Sequence, residues 1–333
     1  MPVVLAGDIG GTKTHLGLYR VDGHELALMR DHIYATHEFP SLEAGLLDFL
    51  RDDREIDVAC MGVPGPVIDK VAHATNVPWD VSRASISKTL NGALTRVLND
   101  LEATAYGMLH LKPSDLVELQ KGVTVTGNIA VIAAGTGLGE AALIHGDREW
   151  TSVATEGGHC DFAPRGVEQV TLLQFFERKF GHASYERALS GPGLYNIYCC
   201  LLESSAQPEP PWLRERMRGN DASAIISETA LAGQDERCLH ALELFVEIYG
   251  AEAANLALKF LAYGGLYVGG GIAPKILPIL QRGGFVRAFL NKGRFNRVLE
   301  RIPVRVCLNQ EAALIGAAHL GESMLARVAA ARP

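Results

Sequence analysis

The sequence has no cysteine pair of C-x-x-C form, no run of basic residues and no long apolar stretch, and each absence removes a class of function. Its six cysteines stand at 60, 160, 199, 200, 238 and 307. Neither a disulfide framework nor a zinc site is expected from them, and free thiols in a reducing cytoplasm fit best. Lysine and arginine number 31 against 38 acids, a net charge of −7 with no basic block to hold a polyanion. Nucleic acid is therefore not an expected partner. The longest uncharged run, Gly122 to Gly139, is broken by glycine and threonine, so no membrane partner is expected either. "MPVVLAGDIGG" at the start has no basic stretch ahead of an apolar one, and no signal peptide is expected there.

What the chain has is glycine, 35 of 333 residues, above ordinary usage and concentrated in short clusters. The length leaves room for two domains. "VVLAGDI" and "THLGLYRV" flank the first cluster, and "LALMRDHIYAT" follows the turn Asp22-Gly23, which predicts a three-stranded antiparallel meander. Residues 41–53 are amphipathic behind Ser41 and predict a helix. "IDVACMGV" reads as a buried strand, and "LTRVLND" as a strand leading straight into the helix "LEATAYGMLHL".

The same grammar returns about 125 residues later. "NIAVIAAGTGLGEAALIHGDREW" is strand, glycine loop, strand, turn, strand, so duplicated halves are expected. A long amphipathic helix is predicted from Asp235 to Ala262, a strand–glycine–helix junction at "GLYVGGGIAPKIL", a strand at "IPVRVCL" and a last helix from Gln310 to about Ala329.

Two rival phosphate motifs fail on spacing. A Walker loop needs glycine five positions after the first, where this chain has Thr12. A dinucleotide fingerprint needs a helix directly after its glycines, whereas "THLGLYR" alternates like a strand. The first cluster is thus a hairpin tip, its glycines serving either the turn alone or a phosphate approached by bare backbone N–H groups.

Seven segments in order resemble bacterial ATP-dependent glucokinases: "GDIGGT" (7–12), "NDLEA" (99–103), "GTGLG" (135–139), "EGGHCDFAP" (156–164), "ERALSGPG" (186–193), "GGGIAPK" (269–275) and "KGRF" (292–295). The resemblance implies an α/β, two-domain sugar kinase/actin-like (ribonuclease H-like) fold with an interdomain cleft. Residues 1–109 plus 310–333 would make the small domain and 110–309 the large one. It implies a cytoplasmic homodimer that phosphorylates the 6-hydroxyl of glucose with ATP, the first step of glycolysis, with Mg²⁺ accompanying ATP. Two departures stand out. Leu101 occupies a position where the family usually has phenylalanine, and "GVPGPVID" (62–69) is closer to the related repressor/kinase sugar kinases. That cousin family carries a zinc motif, C-x-C-G-x-x-G-C; here Cys160 stands alone after His159, and no zinc is expected.

By this resemblance Gly7, Asp8, Ile9, Gly10, Gly11 and Thr12 form one ATP cradle, Gly135, Thr136 and Gly137 the second, and Gly269, Gly270 and Gly271 approach the adenosine. Asp8 would stand on the metal side, reaching Mg²⁺ through water; as a plain turn residue it would cap. Lys13 either touches phosphate or is solvated. Asp100 would be the base that accepts the sugar hydroxyl proton, while Asn99 and Asp100 are also good helix caps. Asn99, Glu156, His159, Glu186 and, more weakly, Asn76 would bind sugar, a polar set suited to hydroxyls that both donate and accept. Another hexose or an N-acyl-aminosugar is the alternative substrate. A sugar-sensing repressor would need a helix-turn-helix ahead of the first loop, where only six residues precede Gly7. An actin- or chaperone-type ATPase would have no use for the sugar-side cluster.

Overall fold

The structure is a computed structural model that describes every residue except 24, 52–54, 74–76, 147–148 and 331–333. Alternation in the first 35 residues produces the meander it predicts, β1 (Val3–Ile9), β2 (Lys13–Asp22) and β3 (Glu25–Ala35), paired antiparallel. Helix α1 (Leu42–Leu50) starts where Ser41 Oγ accepts the Ala44 N–H at 3.2 Å. The expected extension to 53 falls partly on residues 52–54, outside the described residues. Strand β4 (Val58–Val63) runs parallel to β1. A flap not evident in the sequence follows, β5 (Val67–Ile68), β6 (Val71–Ala72) and β7 (Val81–Ser82). Then α2 (Arg83–Thr89) leads to β8 (Leu94–Asn99), which passes without a loop into α3 (Asp100–Met108). Among the described residues this first sheet has the order β3-β2-β1-β4-β8.

The second sheet repeats the scheme. After β9 (Leu116–Gln120), strands β10 (Ile129–Ala134), β11 (Leu138–His145) and β12 (Trp150–Thr155) form the second meander. Helices α4 (Gly166–Phe180), α5 (Gly191–Glu203), α6 (Pro211–Met217), α7 (Ala222–Leu231) and α8 (Glu236–Phe260) come next. Strand β13 (Gly265–Gly269) is parallel to β10; then α9 (Leu277–Leu280), α10 (Gly284–Leu290), α11 (Asn296–Leu299), β14 (Val304–Cys307) and α12 (Ala312–Ala330) close the chain. The order is β12-β11-β10-β13-β14-β9. The helix expected directly after the 269–271 glycines is largely absent, since 270–276 are turns and only Leu277–Leu280 is helical. Pro278 has no N–H for the carbonyl at 274, so a continuous helix from 272 would lose a bond at its centre.

The layers follow from which faces are apolar. Helices α1 and α2 cover one face of the first sheet through Leu46, Phe49 and Ile86. The long α8 buries Leu242, Phe245, Tyr249, Ala253 and Leu256 at helical spacing against the second sheet, each large side chain contributing about 1.5–3 kcal/mol. Between the sheets lie α3 and α12, in one cluster with Val4, Val58 and Leu98 from the first sheet and Val131, Leu143 and Tyr267 from the second. These two helices cross so closely that a methyl on Gly316 would land on the Ala103 carbonyl, and one on Gly107 on that of Ala312.

Candidate active site

The C-terminal ends of β1, β8, β10 and β13 open onto one cavity of about 810 Å³, at the place where parallel α/β sheets offer side chains and free backbone to a ligand. Both hairpin tips line it. In the first, the Gly10 N–H closes on Lys13 O at 2.8 Å; among the described residues the N–H groups of Gly11 and Thr12 have no protein acceptor. The second closes from Gly135 N–H to Gly137 O at 2.8 Å. Gly10, Gly11, Thr12, Gly135, Thr136, Gly137, Gly269 and Gly270 all border the cavity. Gly7, Ile9 and Gly271 do not. Strand alternation sends Ile9 into the core beside Leu5 and Leu16, and a side chain on Gly7 would run into Met61. Lys13 is exposed outside the cavity.

Asp8 points the other way from Gly7 and Ile9, into the cavity. Burial pushes its carboxyl up to about 6, with the opposing pull of His15, its cross-strand partner, too weak to prevent it. Asp100 enters from the first turn of α3. Burial pushes it up to about 6 as well, helped by the charge of Asp8 and, less, of Glu156, against the lowering N–H of Leu101. Two half-buried carboxyls thus share one cavity, which favours a cation or a proton between them.

Asn99 is both cap and lining. Its Oδ1 accepts the Leu101 N–H at 2.8 Å, its Nδ2 donates to Gly65 O at 3.0 Å, and its own N–H donates to Glu102 Oε2, completing a capping box. It is 6% exposed. The capping role that the sequence left open is therefore real, and it aims Asp100. On the far wall Glu156 and His159 bracket a helical turn at Gly157–His159. Glu186 arrives from a second turn, Tyr185–Arg187. Its Oε2 accepts the Leu138 N–H at 3.0 Å, and its Oε1 lies 3.9 Å from His159 Nδ1. Glu186 therefore ties the second glycine loop to the Glu156–His159 wall. Asn76 lies outside the described residues.

Sequence reasoning missed part of the lining. Thr104 and Met108 come from α3, and Cys307, Asn309, Gln310 and Ala312 from the β14–α12 junction. None sits in a glycine cluster or beside a carboxylate pair, so no local signal marks them. His73, also missed, reaches the cavity from the flap.

A family model described as Glucokinase matches residues 5–324. The glucokinase of Nostoc sp. is 39% identical over 336 residues, covering 96% of this chain and 98% of that one. The chain belongs to the glucokinase family. The glucokinase of Synechocystis sp. is 40% identical over 341 residues, covering 94% of this chain and 96% of its own. A solved glucokinase from an Antarctic psychrotroph matches with a TM-score of 0.85 and 29% identity, covering 97% of this chain and 99% of that one. The fold is the two-domain, actin-like sugar-kinase fold that the motifs imply. Within this glucokinase frame Leu101, the departure noted above, packs onto Gly139 at the base of the second loop, where any added side chain would meet its methyl groups.

Proposed function

We propose that the chain transfers the γ-phosphoryl group of ATP to the 6-hydroxyl of glucose. The observation that carries this reading is the meeting of two glycine hairpin tips, Asp100 and the Glu156–His159–Glu186 wall in one cavity. Backbone N–H groups of Gly11, Thr12, Thr136 and Gly137 would hold the phosphates, and the Gly269–Gly270 bend would take the adenosine. Asn99, Glu156, His159 and Glu186 would orient the sugar. Asp100, ionised, would accept the 6-hydroxyl proton as the oxygen attacks phosphorus and ADP leaves, a reaction in which positioning and electrostatics do most of the work.

Mg²⁺ is the metal this donor set fits. The half-buried carboxylate of Asp8 is a hard oxygen ligand on the cavity wall. That suits an ion held mostly by phosphate and water. Bound with ATP, it would neutralise charge on the phosphates. The lobes are proposed to be 1–109 with 310–333, and 110–309, hinged so that sugar closes the cleft. A homodimer in the cytoplasm feeding glycolysis completes the proposal; among the described residues no helix is long and apolar enough to cross a membrane. A coupled assay for ADP with glucose, with other hexoses and N-acyl-aminosugars, and with no sugar tests it. Release without sugar would make the chain an ATPase, and a stronger response to another sugar would reassign the substrate.

A further inference from the structure

Beneath the two sugar-facing turns lie two carboxyl groups that the proposed chemistry does not use. Glu140 stands in β11 and Glu252 in α8, 1% and 0% exposed, and among the described residues the Oε1 atom of each has no hydrogen-bond partner. The fold brings them together. Glu140 lies opposite Ile132 across the β10–β11 ladder, the Tyr249 hydroxyl donates to the Ile132 carbonyl at 3.3 Å, and Glu252 follows Tyr249 by three residues on the same helix face. Two ionised carboxylates so deeply buried repel each other and lose their hydration, whereas one added proton relieves both.

Each partner also touches the floor of a sugar-facing turn. A methyl on Gly157 would land on the Glu140 carboxyl. The Thr155 hydroxyl accepts the Gly157 N–H at 3.1 Å and donates to the Glu140 carbonyl at 3.0 Å. On the other side Asn255 Nδ2 donates to Glu252 Oε2 at 2.7 Å and to the Tyr185 hydroxyl at 3.1 Å, and Tyr185 precedes Glu186. Lys259 Nζ stands 3.8 Å from Glu252 Oε1, and the Lys292 ammonium donates to Asn255 Oδ1.

We propose that Glu140 keeps its proton beside the negative charge of Glu252 and that the two, carrying a single negative charge between them, act as positioning residues that hold the Gly157–His159 and Tyr185–Arg187 turns in register for the sugar. The inference rests on reading those turns as the sugar site. Burial holds the Glu140 carboxyl up at about 8, with the charge of Glu252 adding to it and Lys259 opposing; burial raises Glu252 too. The titratable and charged groups facing the pair are Tyr249 and Lys259 of α8, Tyr185 of the second turn, Lys292 from the loop after α10, and Arg165 ahead of α4. As pH rises through about 8 the pair gains a second buried charge. The turns then lose their register, and glucose affinity falls more than turnover.

Two measurements test this. Infrared spectra at pH 7 should show a buried carboxylic-acid carbonyl band that disappears in Glu140→Gln. Glucose KM followed from pH 6 to 9 should climb above pH 8 in the wild type and stay flat in Glu140→Gln, whose amide keeps the neutral form. Glu252→Gln, the second conservative variant, should also be flat. Glu140→Ala, which removes the support, should raise glucose KM at every pH by up to roughly 10²-fold. A missing acid band, or a Glu140→Gln protein that keeps the wild-type alkaline rise, overturns the pair; the latter would assign the titration to Lys292. A wild type that forms no ADP with glucose overturns the functional reading instead, while the infrared band still decides the pair.

Discussion

Replacing Asp100 by asparagine should make the protein slower and more stable at the same time. The carboxyl is held at about 6, first by burial and then by the charge of Asp8. A carboxyl about two pH units above its ordinary value costs about 3 kcal/mol when ionised in place at pH 7. Asparagine carries no charge and keeps the local geometry. Its Oδ1 can still accept the Leu101 N–H, and Asn99 still caps α3. The favourable meeting of a carboxylate with the helix N-terminus is lost, but that is worth only about 0.3–1 kcal/mol. Relief of burial wins, for a net gain of roughly 1–3 kcal/mol. The proton acceptor is also gone, and general-base contributions run about 10²–10⁴-fold, so kcat should fall by at least roughly 10²-fold with sugar binding weakened only modestly. The sign of the pH dependence is fixed by linkage. A carboxyl whose folded value lies above its unfolded one destabilises progressively as pH rises from about 4 to about 6, then by a constant amount. The Asn variant should therefore melt several degrees above wild type at pH 7 and level with it at pH 4, measured without ATP or magnesium. An equal melting point at pH 7, a gain that persists at pH 4, or a folded variant that keeps most of its turnover would refute the reasoning.

In the free wild-type enzyme kcat/KM should rise with pH through about 6, because Asp8 and Asp100 must both ionise for the proposed roles; a flat profile from pH 5 to 7 counts against them. Between about pH 4.5 and 8 the wild type should lose stability relative to Glu140→Gln, since only the folded wild type keeps the Glu140 proton over that window; parallel melting curves would exclude a raised Glu140. Gly137→Val should raise the KM of both ATP and glucose, because its Cβ would lie 2.5 Å from Glu186 Oε2; an effect on ATP alone would detach Glu186 from the sugar. Gly316→Ala should destabilise by about 1–3 kcal/mol or more, read as a lower denaturation midpoint, and an unchanged midpoint would contradict the close crossing. Small-angle scattering should show a smaller radius with saturating glucose, and an unchanged radius would argue against closure.

The hairpin tips were legible because strand alternation and glycine together specify a turn, and Asp100 because a strand ran directly into a helix. Glu186 was legible only through the resemblance, and its bond to Leu138 was not, since contact between a helical turn and a distant loop leaves no local trace. That bond is why sequence alone would assign Gly137 to the nucleotide only, whereas in the proposed site the loop that holds it is also tied to Glu186 on the opposite wall. Glu140 and Glu252 were missed for a different reason. A charged residue in a strand or an amphipathic helix reads as solvent-facing, and only the packed second sheet reveals that both are buried. Gly7 and Ile9 were assigned to the nucleotide as part of a continuous motif, although the period of a strand separates them from Asp8.

The crossing of α3 and α12 sets an order on biosynthesis. The inner face of the first sheet, with Val4 and Val58, is covered by a helix made of residues 312–330, and Gly321 sits directly against Val4. About 300 residues separate β1 from that cover, or roughly 15–60 s of translation at 5–20 residues per second. Through that interval the inner face of the first sheet has only α3 to cover it, and the share that α12 takes stays open. The first sheet is thus fully covered only after the second sheet has been made. Ribosome-bound intermediates of this chain are where holdase chaperones should be found, and a stop codon shortly before residue 312, which deletes α12 whole, should leave the first sheet without that cover.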